Sequence, residues 1–235
     1  MFVDVIASVN EARSDDFIHK TVIVVDVLRA TSTIVTALAH GCSAVVPVET
    51  VHQAKQLQEP GDLLGGERYC KKIAGFDYGN SPFEYTGSEC SGRRVILTTT
   101  NGTRAIQKSQ KASRVLAGSM LNAEACAKTA FALNRDIAIL CAGTQDDFCL
   151  EDGLCAGLLL HHLERLGDRT GMNDLGLAMK LAFESASGQI EQILLGCASG
   201  KKLIKLGQKD DVLYCAQMNR FDLVPVFQDQ KMIVF

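Results

Sequence analysis

The sequence predicts a layered α/β fold, and three observations support this prediction. Apolar runs of five to seven residues, rich in Val and Ile, alternate with longer segments of helical periodicity. The chain has 235 residues, of which 47% are hydrophobic, and this is enough for a sizeable core. It contains only four prolines, and neither a low-complexity linker nor a repeat of fixed period. We therefore expect a folded globular protein in which strands and helices alternate.

The alternation can be followed through the N-terminal two thirds of the chain. Strands are predicted near residues 2–6, 22–26, 43–48, 62–65, 93–98, 114–117 and 136–142. Helices are predicted between them at about 32–40, 50–58, 102–110, 121–134 and 149–166. The first helix should end at Gly41, because glycine adopts the left-handed conformation that terminates helices. The fourth should begin after Ser119, whose hydroxyl can cap it.

The C-terminal third has a different pattern. After Gly171, helices are predicted at 173–186, 188–198 and 209–218, and strands return only in the segments LVPVF and KMIVF. This part should form a helical layer with closing strands. A single domain over residues 1–235 is the simpler interpretation, and a boundary near 168–172 is the alternative.

The composition excludes several classes of partner. The 24 basic and 27 acidic residues nearly cancel, so no overall field attracts nucleic acid or an anionic membrane surface. The nine cysteines form no CxxC pair and lie mostly in apolar segments, which is typical of a reducing compartment. The first residues include acidic groups where a signal peptide is basic, and no run of 18 or more apolar residues occurs. We expect a cytoplasmic protein without a membrane segment that forms a homo-oligomer such as a dimer.

Hydroxyl-bearing residues follow two predicted strands, at the sheet edge where open α/β folds bind ligands. The first cluster is Thr31, Ser32 and Thr33, and the second is Thr98, Thr99, Thr100 and Thr103. Both lead into helices, whose unpaired N–H groups could join the hydroxyls in binding phosphate or sulfonate. Arg29 and Arg68 could add forked hydrogen bonds. The alternative is that these residues are ordinary helix caps and strand threonines.

Four carboxylates also lie at or beyond predicted strand ends. They are Asp26, Glu67, Glu151 and Asp152. Mg²⁺ prefers oxygen ligands of this kind together with substrate phosphate, so these side chains predict a metal site. For Glu151 and Asp152 the alternative is that acidic groups in the first turn of a helix complement its dipole. Asp26 is harder to explain structurally, because it ends a VIVV run and would be partly buried.

Several common phosphate-binding motifs are absent. The segment GCASGKK from Gly196 is the nearest approach to GxxxxGK[ST], but its spacing and its missing hydroxyl are both wrong. No GxGxxG occurs, and no cysteine lies six residues before an arginine, as a thiolate phosphatase would require. Leu28 stands where an aspartyl phosphatase of the DxDxT type has its second aspartate. A phosphatase with this sequence belongs to none of these groups.

Four blocks of the sequence together resemble the 2-phosphosulfolactate phosphatase family. They are DVLRATST, GGERYCKKIAGFDYGNSPFEY, LTTTNGT and AGTQDDFCLEDGLCAG, and the resemblance runs from about Phe2 to the LVPVF segment. It implies a three-layer α/β/α fold, for which we expect a largely parallel or mixed sheet and a helix-rich C-terminal third. It also implies magnesium-dependent hydrolysis of (2R)-2-phospho-3-sulfolactate to 3-sulfolactate and phosphate, a step of coenzyme M biosynthesis.

The same resemblance, carried over block by block, implies a set of site residues. Asp26 and Arg29 would be catalytic, and Asp26, Glu67, Glu151 and Asp152 would bind Mg²⁺. The small anionic substrate would be bound by Thr31, Ser32, Thr33, Arg68, Asn80, Ser81, Thr98, Thr99, Thr100, Asn101, Gly102, Thr103 and Thr144. Direct attack by water and transfer of the phosphoryl group to Asp26 both stay open as mechanisms. The alternative functions are a phosphatase for another small phosphorylated acid and a non-catalytic anion-binding protein, although several carboxylates would repel a bound anion unless a cation intervened.

Overall fold

The computed structural model describes residues 1–145, 147–167 and 171–235, and its strands form one mixed sheet. The strands are β1 (Phe2–Ile6), β2 (Thr21–Val25), β3 (Ala44–Val48), β4 (Leu63–Arg68), β5 (Lys71–Lys72), β6 (Arg94–Thr98), β7 (Arg114–Gly118), β8 (Ile137–Cys141), β9 (Gly171–Met172), β10 (Pro225–Gln228) and β11 (Lys231–Val234). Their order across the sheet is β5-β4-β6-β3-β11-β10-β7-β2-β8-β1-β9. Each strand predicted from the apolar runs forms, within about two residues at its N-terminal end.

The helices follow the predicted alternation closely. They are α1 (Ala30–Ala39), α2 (Val51–Leu57), α3 (Gly102–Lys108), α4 (Ala123–Ala132), α5 (Leu150–Leu166), α6 (Asp174–Ala186), α7 (Ile190–Gly196), α8 (Ala198–Lys205) and α9 (Lys209–Cys215). Short 3-10 turns occur at Ser14–Phe17, Pro82–Tyr85, Ser88–Cys90, Met120–Asn122 and Ser187–Gln189. Gly41 follows the end of α1 with a φ of +90°, as predicted for a helix terminator. The side chain of Ser119 caps the turn that leads into α4.

The C-terminal hairpin occupies the centre of the sheet. On one side β3, β6 and β4 run parallel to one another, and on the other β7, β2, β8 and β1 do the same. Between them β10 and β11 pair with each other and with β7 and β3 in antiparallel fashion. The sheet is therefore two parallel halves joined by a hairpin that comes from the end of the chain.

Helices cover both faces of this sheet. Alternate side chains of β2 point to opposite faces, so Ile23 and Val25 pack with α4 and α5, whereas Val22 and Val24 pack with α1 and α3. All four side chains are fully buried. The same alternation holds along the neighbouring strands, and the result is the three-layer α/β/α architecture expected for the chain.

The sheet curves around α1. In a flat sheet the five strand spacings between β2 and β6 would separate these strands by about 24 Å. Yet Gly102, at the start of α3 after β6, packs directly against Ala30 and the carboxylate of Asp26, which follow β2. Helix α1 fills the concave side, and its residues from Ala30 to Leu38 are all buried. Curvature thus brings together loops that are far apart in the strand order.

The possible domain boundary near 168–172 coincides with residues 168–170, which lie outside the described part of the chain. The two residues after them, Gly171 and Met172, form β9 and pair with β1. The single-domain organisation stays a prediction. In the described ranges, no helix combines the length and the apolar character needed to cross a membrane.

Candidate active site

A cleft opens at the carboxyl edge of the parallel strands, where the ends of β2, β4, β6 and β8 meet one face of α8. Ten of the predicted site residues line it: Asp26, Arg29, Glu67, Asn80, Thr99, Thr100, Asn101, Thr144, Glu151 and Asp152. All four predicted metal-binding carboxylates are in this group. The structure therefore gathers most of the strand-end residues into one site.

Asp26 lies at the centre of the buried carboxylates. Its Oδ1 accepts a hydrogen bond from the Ala30 N–H at 3.1 Å, which holds it at the start of α1. Burial raises the pKa of Asp26 to about 7, and the nearby carboxylates of Glu67 and Glu151 act in the same direction, while the Ala30 N–H opposes them. A carboxyl with this pKa can hold or release a proton near neutral pH.

Asp152 ties two cleft loops together from the first turn of α5. Its Oδ1 accepts from the Val27 N–H at 2.8 Å and its Oδ2 from the Gly143 N–H at 3.1 Å. Burial, followed by the charges of Asp26 and Glu151, holds the pKa of Asp152 well above its usual range. Its position in the first turn of α5 is consistent with an acidic group that complements the helix dipole. That role does not explain the hydrogen bonds to two other loops or the repulsion between Asp152 and Asp26.

Glu151 points to the same cleft from the neighbouring position on α5. It is 3% exposed, and it interacts with the thiol of Cys197, which precedes α8. Its charge contributes to the raised pKa values of Asp26 and Asp152. Three buried carboxylates thus act on one another in a single region, and a bound cation would relieve that repulsion.

Glu67, on β4, organises the loop after β6. Its Oε1 accepts from both the backbone N–H and the hydroxyl of Thr100 at 2.8 Å each, and its Oε2 accepts from the Cys70 N–H at 2.6 Å. Both carboxylate oxygens are therefore occupied by protein donors. Glu67 fixes Thr100 at the cleft wall.

Arg29 lines the cleft, and its guanidinium forms an ion pair with Asp211 that the sequence did not predict. Its guanidinium donates to Asp211 of α9, and both side chains are buried. The other oxygen of Asp211 accepts from the Ser81 hydroxyl at 2.8 Å. Ser81 therefore binds Asp211 and does not line the cleft, and no hydrogen bond from its side chain caps the 3-10 turn that follows it.

The first hydroxyl cluster serves the loop between β2 and α1. The Thr31 hydroxyl bonds the backbone N–H and carbonyl of Asp26, Ser32 donates to the Val27 carbonyl, and Thr33 donates to the Asn80 carbonyl. None of these three hydroxyls lines the cleft. Their bonds shape the backbone that carries Asp26.

The second cluster divides into two groups. Thr99, Thr100 and Asn101 line the cleft. The other predicted residues of this region have protein partners outside the cleft. Thr98 accepts a hydrogen bond from Arg68, which also donates to the carbonyls of Glu49 and Glu67. Thr103 bonds Thr99, and Gly102 packs on Asp26 and Ala30. Arg68, Thr98, Gly102 and Thr103 thus support the loop without facing the cleft.

The oxygen atoms that line the cleft are suitable ligands for a hard cation such as Mg²⁺. Asp26, Glu151 and Asp152 offer carboxylate oxygens, and the buried Oδ1 of Asn80 has no hydrogen-bond partner within the described ranges. Across residues 1–145, 147–167 and 171–235, no three Asp, Glu, His or Cys side chains converge as a complete ligand set. Mg²⁺ is commonly bound by one or two carboxylates with water and substrate phosphate, so its coordination does not require such a set.

Comparison with known proteins identifies the family. The model of the 2-phosphosulpholactate phosphatase family matches residues 6–230. The chain belongs to this family. The family name is that of a phosphoric monoester hydrolase, and its strand-end blocks are those that form the cleft.

Curated relatives support the same assignment. A protein of Symbiobacterium thermophilum is 40% identical over 96% of this chain and 99% of its own length. A protein of Clostridium acetobutylicum is 38% identical over 99% and 100%, and one of Thermotoga petrophila is 42% identical over 88% of each chain. All three are named probable 2-phosphosulfolactate phosphatase.

The phosphatase family match also spans the region that the motifs did not cover. Three side chains from it lie at the cleft or just behind it: Ser199, Lys202 and Asp211. The segment GCASGKK, which failed as a phosphate-binding loop, supplies the first two from α8. Its basic pair, which lies within α8, was the available signal, but nothing local placed that helix over the strand ends. Asp211 had no signal beyond an acidic first turn.

Proposed function

We propose that the protein hydrolyses the phosphate ester of (2R)-2-phospho-3-sulfolactate in a Mg²⁺-dependent reaction, giving 3-sulfolactate and inorganic phosphate. The observation that carries the proposal is the convergence of Asp26, Glu151, Asp152 and Arg29 on one cleft at the carboxyl edge of the sheet. Membership of the phosphatase family and the names of the relatives support the choice of substrate.

One or two of the carboxylates of Asp26, Glu151 and Asp152 would hold the metal ion together with water and the substrate phosphate, with Asn80 near by. The bound cation would supply positive charge that offsets the carboxylates and the substrate phosphate and would acidify a coordinated water. We assign Glu67 a different role from the one expected for it, because it accepts three hydrogen bonds from protein donors, two of them on Oε1, whereas each oxygen of Asp152 accepts only one. We propose that Glu67 positions Thr100 and reaches the metal site only through its charge.

Other steps of the reaction, namely proton transfer and stabilisation of the phosphate charge, are assigned to side chains of the cleft. The carboxylate of Asp26 takes a proton from the water that attacks phosphorus, since a cation bound near by would keep this buried carboxyl group deprotonated at neutral pH. Arg29 donates to the non-bridging phosphate oxygens, oriented by its ion pair with Asp211. Thr99, Thr100 and Asn101 offer polar contacts at the start of α3. Phosphoryl transfer depends mainly on positioning and electrostatics, and this arrangement supplies both.

Phosphate release from 2-phosphosulfolactate by the purified protein tests the proposal. We expect release with Mg²⁺, loss of release with excess chelator and recovery when Mg²⁺ is restored. 2-Phospholactate, which lacks the sulfonate, serves as the comparison substrate and should react with a lower kcat/KM. No release from a folded, magnesium-loaded protein would refute the activity and favour the anion-binding alternative. Equal kcat/KM values would favour a phosphatase for small phosphorylated acids in general.

The wider biological assignment rests on the family and is part of the proposal. Formation of 3-sulfolactate would be a step of coenzyme M biosynthesis, and we also propose a cytoplasmic location and a homo-oligomeric assembly.

A further inference from the structure

Helix α8 crosses the mouth of the cleft. At its N-terminal end, Cys197 interacts with Glu151, and the Ser199 hydroxyl lies 3.9 Å from the thiol of Cys149. One turn later, the ammonium group of Lys202 interacts with the thiol of Cys70, on the opposite wall. The helix therefore spans the cleft from the α5 side to the turn after β4.

Close backbone packing fixes the position of α8. A Cβ on Gly200 would overlap the carbonyl oxygen of Leu194 in α7, so only glycine allows the two helices to approach this closely. The Gly200 N–H also donates to the Cys197 sulfur at 3.3 Å. On the other side of the helix from Lys201, the buried Leu203 lines the cleft beside Lys202. Lys202 is thus an exposed lysine on a well-anchored helix.

The charge of Lys202 is not neutralised by an ion pair in the described part of the chain. Arg29, the other cation of the cleft, already pairs with Asp211, whereas no carboxylate among the described residues lies within ion-pair distance of Lys202. The acidic groups that would hold the metal are at the floor, at Asp26, Glu151 and Asp152. The cleft is therefore polarised, with metal-binding acids at the floor and, at the rim, an ammonium group that makes no ion pair with the described residues.

The proposed substrate has a matching arrangement of charges. Its carboxylate and its phosphate ester are attached to the same carbon, so both can reach the floor and Arg29. Its sulfonate is on the next carbon and can extend away from phosphorus, because the bond between the two carbons rotates. A flexible ammonium group with three donors suits a tetrahedral sulfonate, which does not require the planar fork of a guanidinium.

We propose that Lys202, assisted by the Ser199 hydroxyl, binds the sulfonate of the substrate and thereby selects sulfonated over unsubstituted phospholactate. This inference rests on the proposed function and assigns specificity to the C-terminal helical layer. The loops at the strand ends would hydrolyse the phosphate ester, and α8 would bind the sulfonate.

The test compares Lys202→Met with Lys201→Met, its exposed neighbour outside the cleft lining. Turnover is measured on 2-phosphosulfolactate and 2-phospholactate, and binding of 3-sulfolactate and of inorganic phosphate is measured by calorimetry. Loss of a charge-assisted hydrogen bond should raise KM for phosphosulfolactate and Kd for sulfolactate by roughly ten- to a hundredfold. Kinetics on phospholactate and binding of phosphate should change less than about threefold, and Lys201→Met should match the wild type. Lys202→Arg should retain most of the preference.

Two results would overturn the inference. Unchanged sulfolactate binding in Lys202→Met would remove Lys202 from recognition, and equal losses on both substrates would show a general disturbance of the cleft. Failure of the proposed function is a separate result, because it would appear as absent phosphate release by the wild type. Sulfolactate binding would still decide the role of Lys202 in that case, and a wild type that does not bind sulfolactate would refute it.

Discussion

Asp26 is an unusual residue to keep in a protein core. Its carboxylate is 9% exposed and lies near Glu67, Glu151 and Asp152, so each charge raises the cost of the others. The Thr31 hydroxyl satisfies the Asp26 backbone and leaves the side chain directed at the cleft. A purely structural position of this kind would gain stability from an amide or an apolar side chain, so the carboxylate indicates a functional requirement.

Replacing Asp26 with asparagine should separate activity from folding. The amide keeps the size and can still accept from the Ala30 N–H, but it cannot take a proton or balance a cation. We expect kcat to fall by about two to four orders of magnitude while the far-UV circular dichroism is unchanged. Asp16→Asn, at an exposed aspartate in the first 3-10 turn, is the control and should be fully active. Near-normal turnover in Asp26→Asn would exclude Asp26 from the mechanism.

The raised pKa of Asp26 also predicts how the metal-free protein responds to pH. Its folded pKa of about 7 exceeds the ordinary value of 3.8, so between these values the folded state binds more protons than the unfolded state. Stability from this group is complete below about pH 4 and is lost as the pH rises through about 7. In chelator, the urea midpoint should therefore decrease over this range, and Mg²⁺ should restore it most strongly at the upper end.

Asp26→Asn should have a shallower decrease in the urea midpoint than the wild type. Asp152, whose pKa is raised in the same direction, would account for the part that remains. A decrease of equal slope in both proteins would contradict the assignment of this titration to Asp26.

The ion pair between Arg29 and Asp211 provides a third prediction at this scale. In Asp211→Asn the buried guanidinium would lose its anionic partner, which costs about 3–5 kcal/mol in comparable buried pairs. The loss of orientation at Arg29 should also lower kcat/KM by roughly ten- to a hundredfold. Urea denaturation and phosphate release measure the two effects. Asp210→Asn, an exposed neighbour in the same helical turn, should leave both unchanged.

Site residues could be predicted from the sequence where they lie next to the end of a strand or the start of a helix that the apolar pattern itself marks. Asp26, Glu67, Glu151 and Asp152 each stand beside a strand or helix boundary that the apolar pattern marks, and all four line the cleft. Asp211 and Lys202 could not be found in this way. They reach the site only because α8 and α9 fold back over the strand ends, across long sequence separations that no local pattern encodes.

At the scale of elements, the junction of α1 and α3 holds the floor of the cleft in place. Asp26 lies between the starts of these helices, with the Ala30 N–H on one side and the Gly102 backbone on the other. Because α1 is buried along its length, it cannot shift outward to accommodate a larger neighbour. The spacing between the two helices therefore sets the position of the carboxylate.

Gly102→Ala tests this spacing. The added Cβ would lie 2.5 Å from Asp26 Oδ2 and would also overlap the Cβ of Ala30, so α3 must move away from α1. We expect a loss of stability of about 1–3 kcal/mol and a clear decrease in kcat. Gly87→Ala is the matched control, because nothing lies within 4 Å of its added Cβ and its φ of −80° suits alanine. Equal behaviour of the two variants in urea denaturation and turnover would contradict the role of this packing.

Element existence was predictable where the pattern is long or strongly apolar. Strands β2, β3 and β8 are largely apolar runs that are buried at every position, as expected for strands covered on both faces. The prediction missed β5 and β9, which have two residues each and pair only at sheet edges. It also missed α8, because this helix has only eight residues, and its one glycine and three lysines leave few apolar positions from which a period can be recognised.

For the whole molecule, strand order was beyond the reach of sequence patterns. The segments LVPVF and KMIVF were recognised as closing strands, but their place between β7 and β3 depends on pairings with residues more than a hundred positions away. The observed layers agree with the predicted α/β/α class because helices pack on both faces. The curvature of the sheet, which brings the loops after β2 and β6 together, was likewise not predictable from a local pattern.

Met232 connects the hairpin to the core of the concave side. Its side chain is fully buried, and it pairs with Val45 of β3. Met232→Ala should destabilise the protein by about 2–5 kcal/mol, since the cavity would open at the joint between the two half-sheets. Met218→Ala, at a side chain that is 41% exposed, should change stability by less than about 0.5 kcal/mol. Urea denaturation distinguishes these outcomes, and equal midpoints would show that the hairpin does not stabilise the joint.

The central hairpin has a consequence for how the chain must be made. Because synthesis proceeds from the N-terminus, β10 and β11 leave the ribosome after every other strand, although they belong in the middle of the sheet. Until they arrive, β3 and β7 each present an unpaired edge, which is the kind of surface that recruits strands from other chains. The nascent protein should therefore be most prone to aggregation before β10 and β11 have emerged, when the two half-sheets lack the strands that join them.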